Sequence, residues 1–111
     1  MKIELDKRDN ATVISLHKAI ISRDDQLAVN ELIDRTLDEG ERTLVLDLSN
    51  VPYVTSLGIA VLVGAHVRVS RAGGTLRLVN PRPKVTSILE MTRTTDMFRT
   101  YSSVEDALGE D

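Results

Sequence analysis

Thr43–Ala72 reads TLVLDLSNVPYVTSLGIAVLVGAHVRVSRA, and it divides into three parts of different character. Thr43 to Leu48 is a short, nearly continuous aliphatic run, the pattern of a strand covered on both faces. Pro52 falls in a connecting loop. From Leu57 to Ala72 apolar residues recur around nearly every side of a helix, until Gly73-Gly74 stops it. A buried strand, a loop and an apolar helix in that order form one half of a wound α/β unit. Ser56 stands at the junction, a small hydroxyl between the loop and the helix.

The same pattern continues on both sides. Lys2 to Asp6 and Thr12 to His17, with Asp9-Asn10 between them, predict an opening β-hairpin. Ser22-Arg23-Asp24-Asp25 supplies capping side chains for a helix whose inward face is Val29, Leu32, Ile33, Thr36 and Leu37. Glu31, Asp34, Arg35, Asp38 and Glu39 form its polar face, and Gly40 ends it in a left-handed conformation. Beyond the quoted stretch, Leu76 to Val79 predicts another buried strand, and Pro81 or Pro83 opens a helix through Val85, Ile88, Leu89 and Thr92. Phe98 to Tyr101 predicts a last short strand, and Ser102 or Ser103 caps a final turn, Val104 to Leu108. The expected architecture is a single α/β domain over residues 1–111: a wound sandwich on a mixed, mostly parallel sheet, with an antiparallel edge and about four helices. Right-handed crossovers set Leu46 and Leu78 on neighbouring strands.

Composition narrows the function classes. The chain has 111 residues, enough for one core, and 41% of them are hydrophobic, as in an ordinary folded protein. Aromatic residues make up only 3%, which argues against stacking platforms for single-stranded nucleic acid. A net charge of -3 offers no basic stripe for phosphate backbones or anionic lipid, so no direct nucleic-acid binding is expected. There is no cysteine, which rules out disulfides, thiolate zinc sites and thiol redox chemistry. The start MKIELDKRDN lacks a signal-peptide core, and no run reaches the roughly 18 apolar residues of a membrane span. A cytoplasmic protein without membrane insertion is the expectation.

Enzyme signatures are missing. The strand-to-helix junction carries Gly58 and Gly64 but no G-x-G-x-x-G, and no phosphate-binding G-x-x-x-x-G-K-[ST] occurs. Ser56, between Thr55 and Leu57, is not in a G-x-S-x-G elbow. His17 and His66 have no third ligand nearby in sequence, so neither metal nor cofactor is expected.

Two readings of Ser56 follow from the residues. As an N-cap it contributes about 1 kcal/mol to the helix. Alternatively it marks the edge of a docking surface. Ile59, Leu62, Val63, His66 and Val69 fill one inward stripe, which leaves Leu57, Ala60, Val61 and Gly64 on another side. Mid-helix Gly64 costs about 1 kcal/mol against alanine, and with Gly58 and Ala60 it makes a smooth surface starting at Ser56. Internal packing against another helix accounts for the same pattern. The place of Thr55-Ser56 at the carboxyl end of a strand, where open α/β sheets carry their functional crevice, favours an accessible hydroxyl. With no base beside it, Ser56 suits the role of a substrate better than that of a nucleophile. The candidate partner-binding set is Thr55, Ser56, Leu57, Gly58, Ala60, Val61, Gly64 and Arg68.

DLSNVPYVTSLGIAVLVGA, followed by SRAGGTLRLVNPRPKVTSILEMT, resembles the bacterial anti-anti-sigma factors (anti-sigma factor antagonists), small STAS-domain proteins. That family shows D-L-S-x-V-x-[FY]-[ILV]-D-S-x-G-[ILV], a helix, A-G-G-x-[ILV]-x-[ILV] and a proline-started helix; YSSVEDAL is similar to its closing helix. The resemblance implies a non-enzymatic partner switch in transcription regulation. The serine matching Ser56 is phosphorylated by a serine kinase that is itself the anti-sigma factor, and a phosphatase resets it. Thr55 stands where the family has Asp and becomes a possible second phosphosite; Lys18-Ala19-Ile20-Ile21 replaces an acidic G-x-L-D pattern, and Leu57 is larger than usual. A STAS subunit docked without phosphorylation on a lipid-transport ATPase (an ABC complex) is the alternative reading, and a small nucleotide-binding enzyme ranks third.

Overall fold

The computed structural model describes residues 1–109, so the last two residues of the expected 1–111 domain lie outside it. Its elements run β1 (Ile3–Lys7), β2 (Thr12–Leu16), α1 (Arg23–Asp38), β3 (Thr43–Asp47), α2 (Ser56–Arg71), β4 (Thr75–Val79), α3 (Pro83–Met91), β5 (Arg99–Tyr101) and α4 (Val104–Leu108). The five strands form one sheet in the order β1-β2-β3-β4-β5. β1 pairs antiparallel with β2, and every later pair is parallel. Leu46 lies opposite Leu78 across β3 and β4, as the crossover rule requires.

The period of two along each strand divides the core. Ile14, Leu16, Leu44, Leu46, Leu76 and Leu78 join α1, α2 and α3 in the larger cluster, through Val29, Ile33, Val61, Leu62, Ala65, Val69, Val85 and Leu89. The alternate residues Val13, Val45 and Val79 meet Ala107 of α4 on the opposite face. β3, central in the sheet, is buried on both faces, which is why TLVLD shows no alternation.

Local chemistry sets the helix ends. Ser22 accepts from the Asp25 N–H at 3.1 Å, and the Asp25 carboxylate accepts from the Ser22 N–H at 3.3 Å, a reciprocal cap at the start of α1. Gly40 and Gly73 adopt φ of 92° and 83° just after α1 and α2, the left-handed region that glycine enters without strain. Pro83 occupies the first turn of α3, where its missing N–H costs nothing. Ser103, not Ser102, caps α4 by accepting from the Asp106 N–H at 3.1 Å.

α2 is the middle helix of its layer, because α1, α2 and α3 are successive right-handed crossovers over a sheet in sequential order. Its apolar surplus is therefore largely used inside the domain. Gly58, Val61, Leu62, Ala65 and Val69 are the buried positions, while Leu57, Ile59 and Val63 are half-buried against the same core. On one flank the ring of His66 meets that of Phe98 edge-on, with centroids 5.6 Å apart. Val61 and Gly58, expected on the outward side, thus point inward. Double burial of one helix fits in a chain this short because α1 packs along one side of it and Phe98 meets His66 on its flank.

Candidate functional site

The loop from β3 to α2 brings Ser56 to the carboxyl end of the parallel strands, and its own residues hold it there. Asp47 accepts from the Ser49 N–H at 3.0 Å and from the Ser49 hydroxyl at 2.6 Å, and Asn80 after β4 donates to the Ser49 hydroxyl at 3.2 Å. Val51 is buried beneath the loop, and Pro52 and Tyr53 are exposed above it. Gly58 lies against Val54, where a Cβ would come within 2.7 Å of Val54 Cγ1; the GI step of the helix admits no larger residue without movement.

The cap of α2 is Thr55, not Ser56. Thr55 has extended backbone angles and its Oγ1 accepts from the Gly58 N–H at 3.2 Å. The same hydroxyl donates to the carbonyl of Ile20 at 2.6 Å, so it ties the β2–α1 loop to the start of α2. A carboxylate at this position would cap the helix but has no proton for Ile20. Ser56 is the first helical residue, and it is exposed. The two adjacent hydroxyls, alike in sequence, therefore differ: Thr55 is half-buried and engaged twice, and Ser56 faces solvent.

Along α2 the exposed residues are Ser56, Ala60, Val67, Ser70 and Arg71, with Gly64 half-buried between Ala60 and Val67. Gly64 is covered by Arg68. A Cβ at Gly64 would meet only Arg68 Nη1, at 3.7 Å, so the side chain runs back across the glycine. From there Arg68 Nη2 donates to Asn30 Oδ1 at 3.1 Å and Nε stands 2.9 Å from Asp34 Oδ1, both on α1. The smooth strip expected from Gly58 to Gly64 is thus shorter: Ser56 and Ala60 are open, and Arg68 roofs its far end.

Two exposed apolar residues that pattern did not single out lie in the loops that Thr55 ties together at the start of α2. Ile21 and Tyr53 are 50% and 44% exposed, large values for apolar side chains at the mouth of a sheet. With His17, Lys18, Pro52 and Arg82 they line a shallow depression of about 370 Å³ between the β2–α1, β3–α2 and β4–α3 loops. One signal was available for Ile21: it precedes the cap Ser22, yet the residue four into the helix is Gln26, so no hydrophobic staple accounts for it. The loop itself is pinned from α1. Asp25 accepts from Lys18 Nζ at 2.9 Å and from the Ile21 N–H at 3.1 Å. These contacts, the Lys18 hydrogen bond first and the backbone bond second, hold the Asp25 carboxyl at a pKa of about 2. Among the described residues no cluster of three or more His, Asp or Glu could hold a metal ion, and no helix is long and apolar enough to cross a membrane.

The chain is thus an α/β domain with a mixed five-stranded sheet, three helices on one face and one on the other, and it carries an exposed hydroxyl on the first turn of α2. The STAS domain family matches residues 2–107, and the chain belongs to it. It is 29% identical over 107 residues to BtrV of Bordetella bronchiseptica, described as an anti-sigma factor antagonist, covering 96% of this chain and 91% of that one. The crystal structure of an anti-sigma factor antagonist from Thermotoga maritima superposes with a TM-score of 0.87 at 24% identity, over 96% of this chain and 91% of that one. The Bacillus cell fate determinant SpoIIAA in its phosphorylated form superposes with a TM-score of 0.75 at 16% identity, with 96% of each chain covered.

Proposed function

We propose that this protein is an anti-sigma factor antagonist that works by partner switching. It docks on an anti-sigma factor with serine-kinase activity through Ser56, Ala60 and the exposed Ile21 and Tyr53, with Thr55, Leu57 and Arg68 bordering the contact. The kinase transfers the γ-phosphoryl group of ATP to Ser56 Oγ and releases ADP; a phosphatase hydrolyses the ester with water and restores the hydroxyl. The observation that carries this reading is the contrast at the helix start: Ser56 exposed at the first helical position, and Thr55 committed to Ile20 and Gly58. The relative named as an anti-sigma factor antagonist and the phosphorylated neighbour of like fold support it.

Phosphate on Ser56 adds about -1.5 to -2 charges. It arrives at a helix N-terminus, where backbone N–H groups tolerate an anion, so the fold survives. At the rim of an apolar contact the same charge has no partner, and the complex is lost. Thr55 is the poorer phosphosite, because its hydroxyl is half-buried and modifying it removes the proton that ties it to Ile20.

Thr55 and Leu57, both departures from the family pattern, support a second reading as a permanently docked subunit of a lipid-transport ABC complex. Incubation with the binding kinase and ATP, followed by intact mass measurement, separates the two. One added phosphoryl group that disappears in Ser56→Ala supports the switch. Phosphate on Thr55 alone moves the switch by one residue, and no phosphate on either while the kinase stays bound favours the static subunit.

A further inference from the structure

The other end of the sheet holds a feature that partner switching does not use. Arg77, in the middle of β4 on the α4 face, is 5% exposed, a depth at which arginine is almost always paired. Its Nη1 donates to the Ala107 carbonyl at 2.6 Å, near the end of α4. Its buried Nε has no acceptor among the described residues. A cavity of about 610 Å³ opens beside it, lined also by Lys7, Arg8, Asp9 and Asn10 of the β1–β2 turn and by Leu108. Lys7 and Arg8 form exposed pairs, with Glu39 at 2.9 Å and Asp6 at 2.8 Å, which solvent screens and a ligand can displace, and Glu41 and Glu105 also act on them. Asp9 is the one carboxylate in the lining against three cations.

The geometry points to an oxyanion site in this cavity, for the carboxylate or phosphate group of a small molecule. A guanidinium offers two paired-donor edges, Nε with Nη2 along its side and Nη1 with Nη2 at its tip. With Nη1 committed to Ala107 and Nε closed off from solvent, Nη2 is the donor left to meet an oxygen of an anion in the cavity. The volume suits a small metabolite and exceeds what a lone water needs. The β1–β2 turn and Thr43 lie at the amino ends of the parallel strands, so this site and Ser56 occupy opposite ends of the sheet. Its fate is therefore independent of the proposed switch.

Inorganic phosphate is the probe, titrated into the whole protein with chloride at matched ionic strength as the control. The readout is the Arg77 Nε–Hε resonance together with the backbone amides of residues 7–11. A saturating shift with phosphate and none with chloride is expected, weakened at least ten-fold in Arg77→Met and several-fold in Arg8→Ala. Arg8→Ala keeps the test open should Arg77→Met fail to fold, since Arg8 is exposed. An unmoved Arg77 resonance, an equal response to chloride, or unchanged affinity in the variants overturns the site.

Discussion

At the scale of single residues, the junction between loop and helix is decided by which of two hydroxyls turns inward. Thr55 is the cap and the tether; Ser56 is neither. Thr55→Ala removes a cap bond and a buried tie to Ile20, so it should cost about 1–2 kcal/mol of stability. Ser56→Ala removes an exposed hydroxyl and should stay within about 0.5 kcal/mol. Chemical denaturation of both variants checks this, and the reverse order would restore Ser56 as the cap. Sequence could not separate the pair, because serine and threonine are both good caps and the tie to Ile20 joins positions 35 apart in the chain. Arg68 was legible as a charge near Gly64, but its reach to Asn30 and Asp34 depends on the side-by-side placement of two helices.

At the scale of elements, the strands and helices were readable because their patterns are unambiguous. The reciprocal Ser22–Asp25 cap, Pro83 and the turn glycines all sit where their chemistry predicts. What pattern missed was the depth of α2, since a helix apolar on two sides reads the same whether a partner or a neighbouring helix covers it. The remaining open strip makes a sharper test. Ala60→Arg places a long cation on an exposed position and should weaken partner binding at least ten-fold, with the thermal midpoint nearly unchanged. Gly64→Arg should also leave the fold intact, since a Cβ there meets only Arg68, but it sets like charges together and frees Arg68 from α1. A collapsed midpoint in Ala60→Arg would mean that this strip packs internally. The β2–α1 loop carries its own pH dependence through Asp25, whose carboxyl lies at about 2 when folded against about 3.9 when unfolded. A lowered folded pKa stabilises the native state above the unfolded value, and that contribution fades as pH falls from about 4 toward 2. Asp25→Asn should flatten the acid limb of the stability profile, and an unchanged limb would remove Lys18 and Ile21 as its cause.

At the scale of the whole molecule, the sequential strand order follows from two facts in the chain: a hairpin at the start and one helix between each later pair of strands. The assignment of α4 to the opposite face was not legible, because five residues carry too little periodicity to choose a side. Neither was buried Arg77, which interrupts the aliphatic run of β4 as any surface-facing strand residue would. The sheet thus has two unequal cores, and they should respond differently to truncation. Leu46 and Val45 are both fully buried, one under three helices and the other in the small cluster with Ala107. Leu46→Ala leaves a cavity in the larger core, with a cost of about 2–5 kcal/mol. Because that core links β2, β3 and β4 with α1 and α2, hydrogen exchange should speed up across all of them by the same factor. Val45→Ala removes less volume beneath a helix of one and a half turns, so its exchange changes should include extra, local opening of Val104–Leu108. Uniform effects from both variants would mean that α4 unfolds only with the rest of the domain, and that the two faces of the sheet form a single cooperative unit.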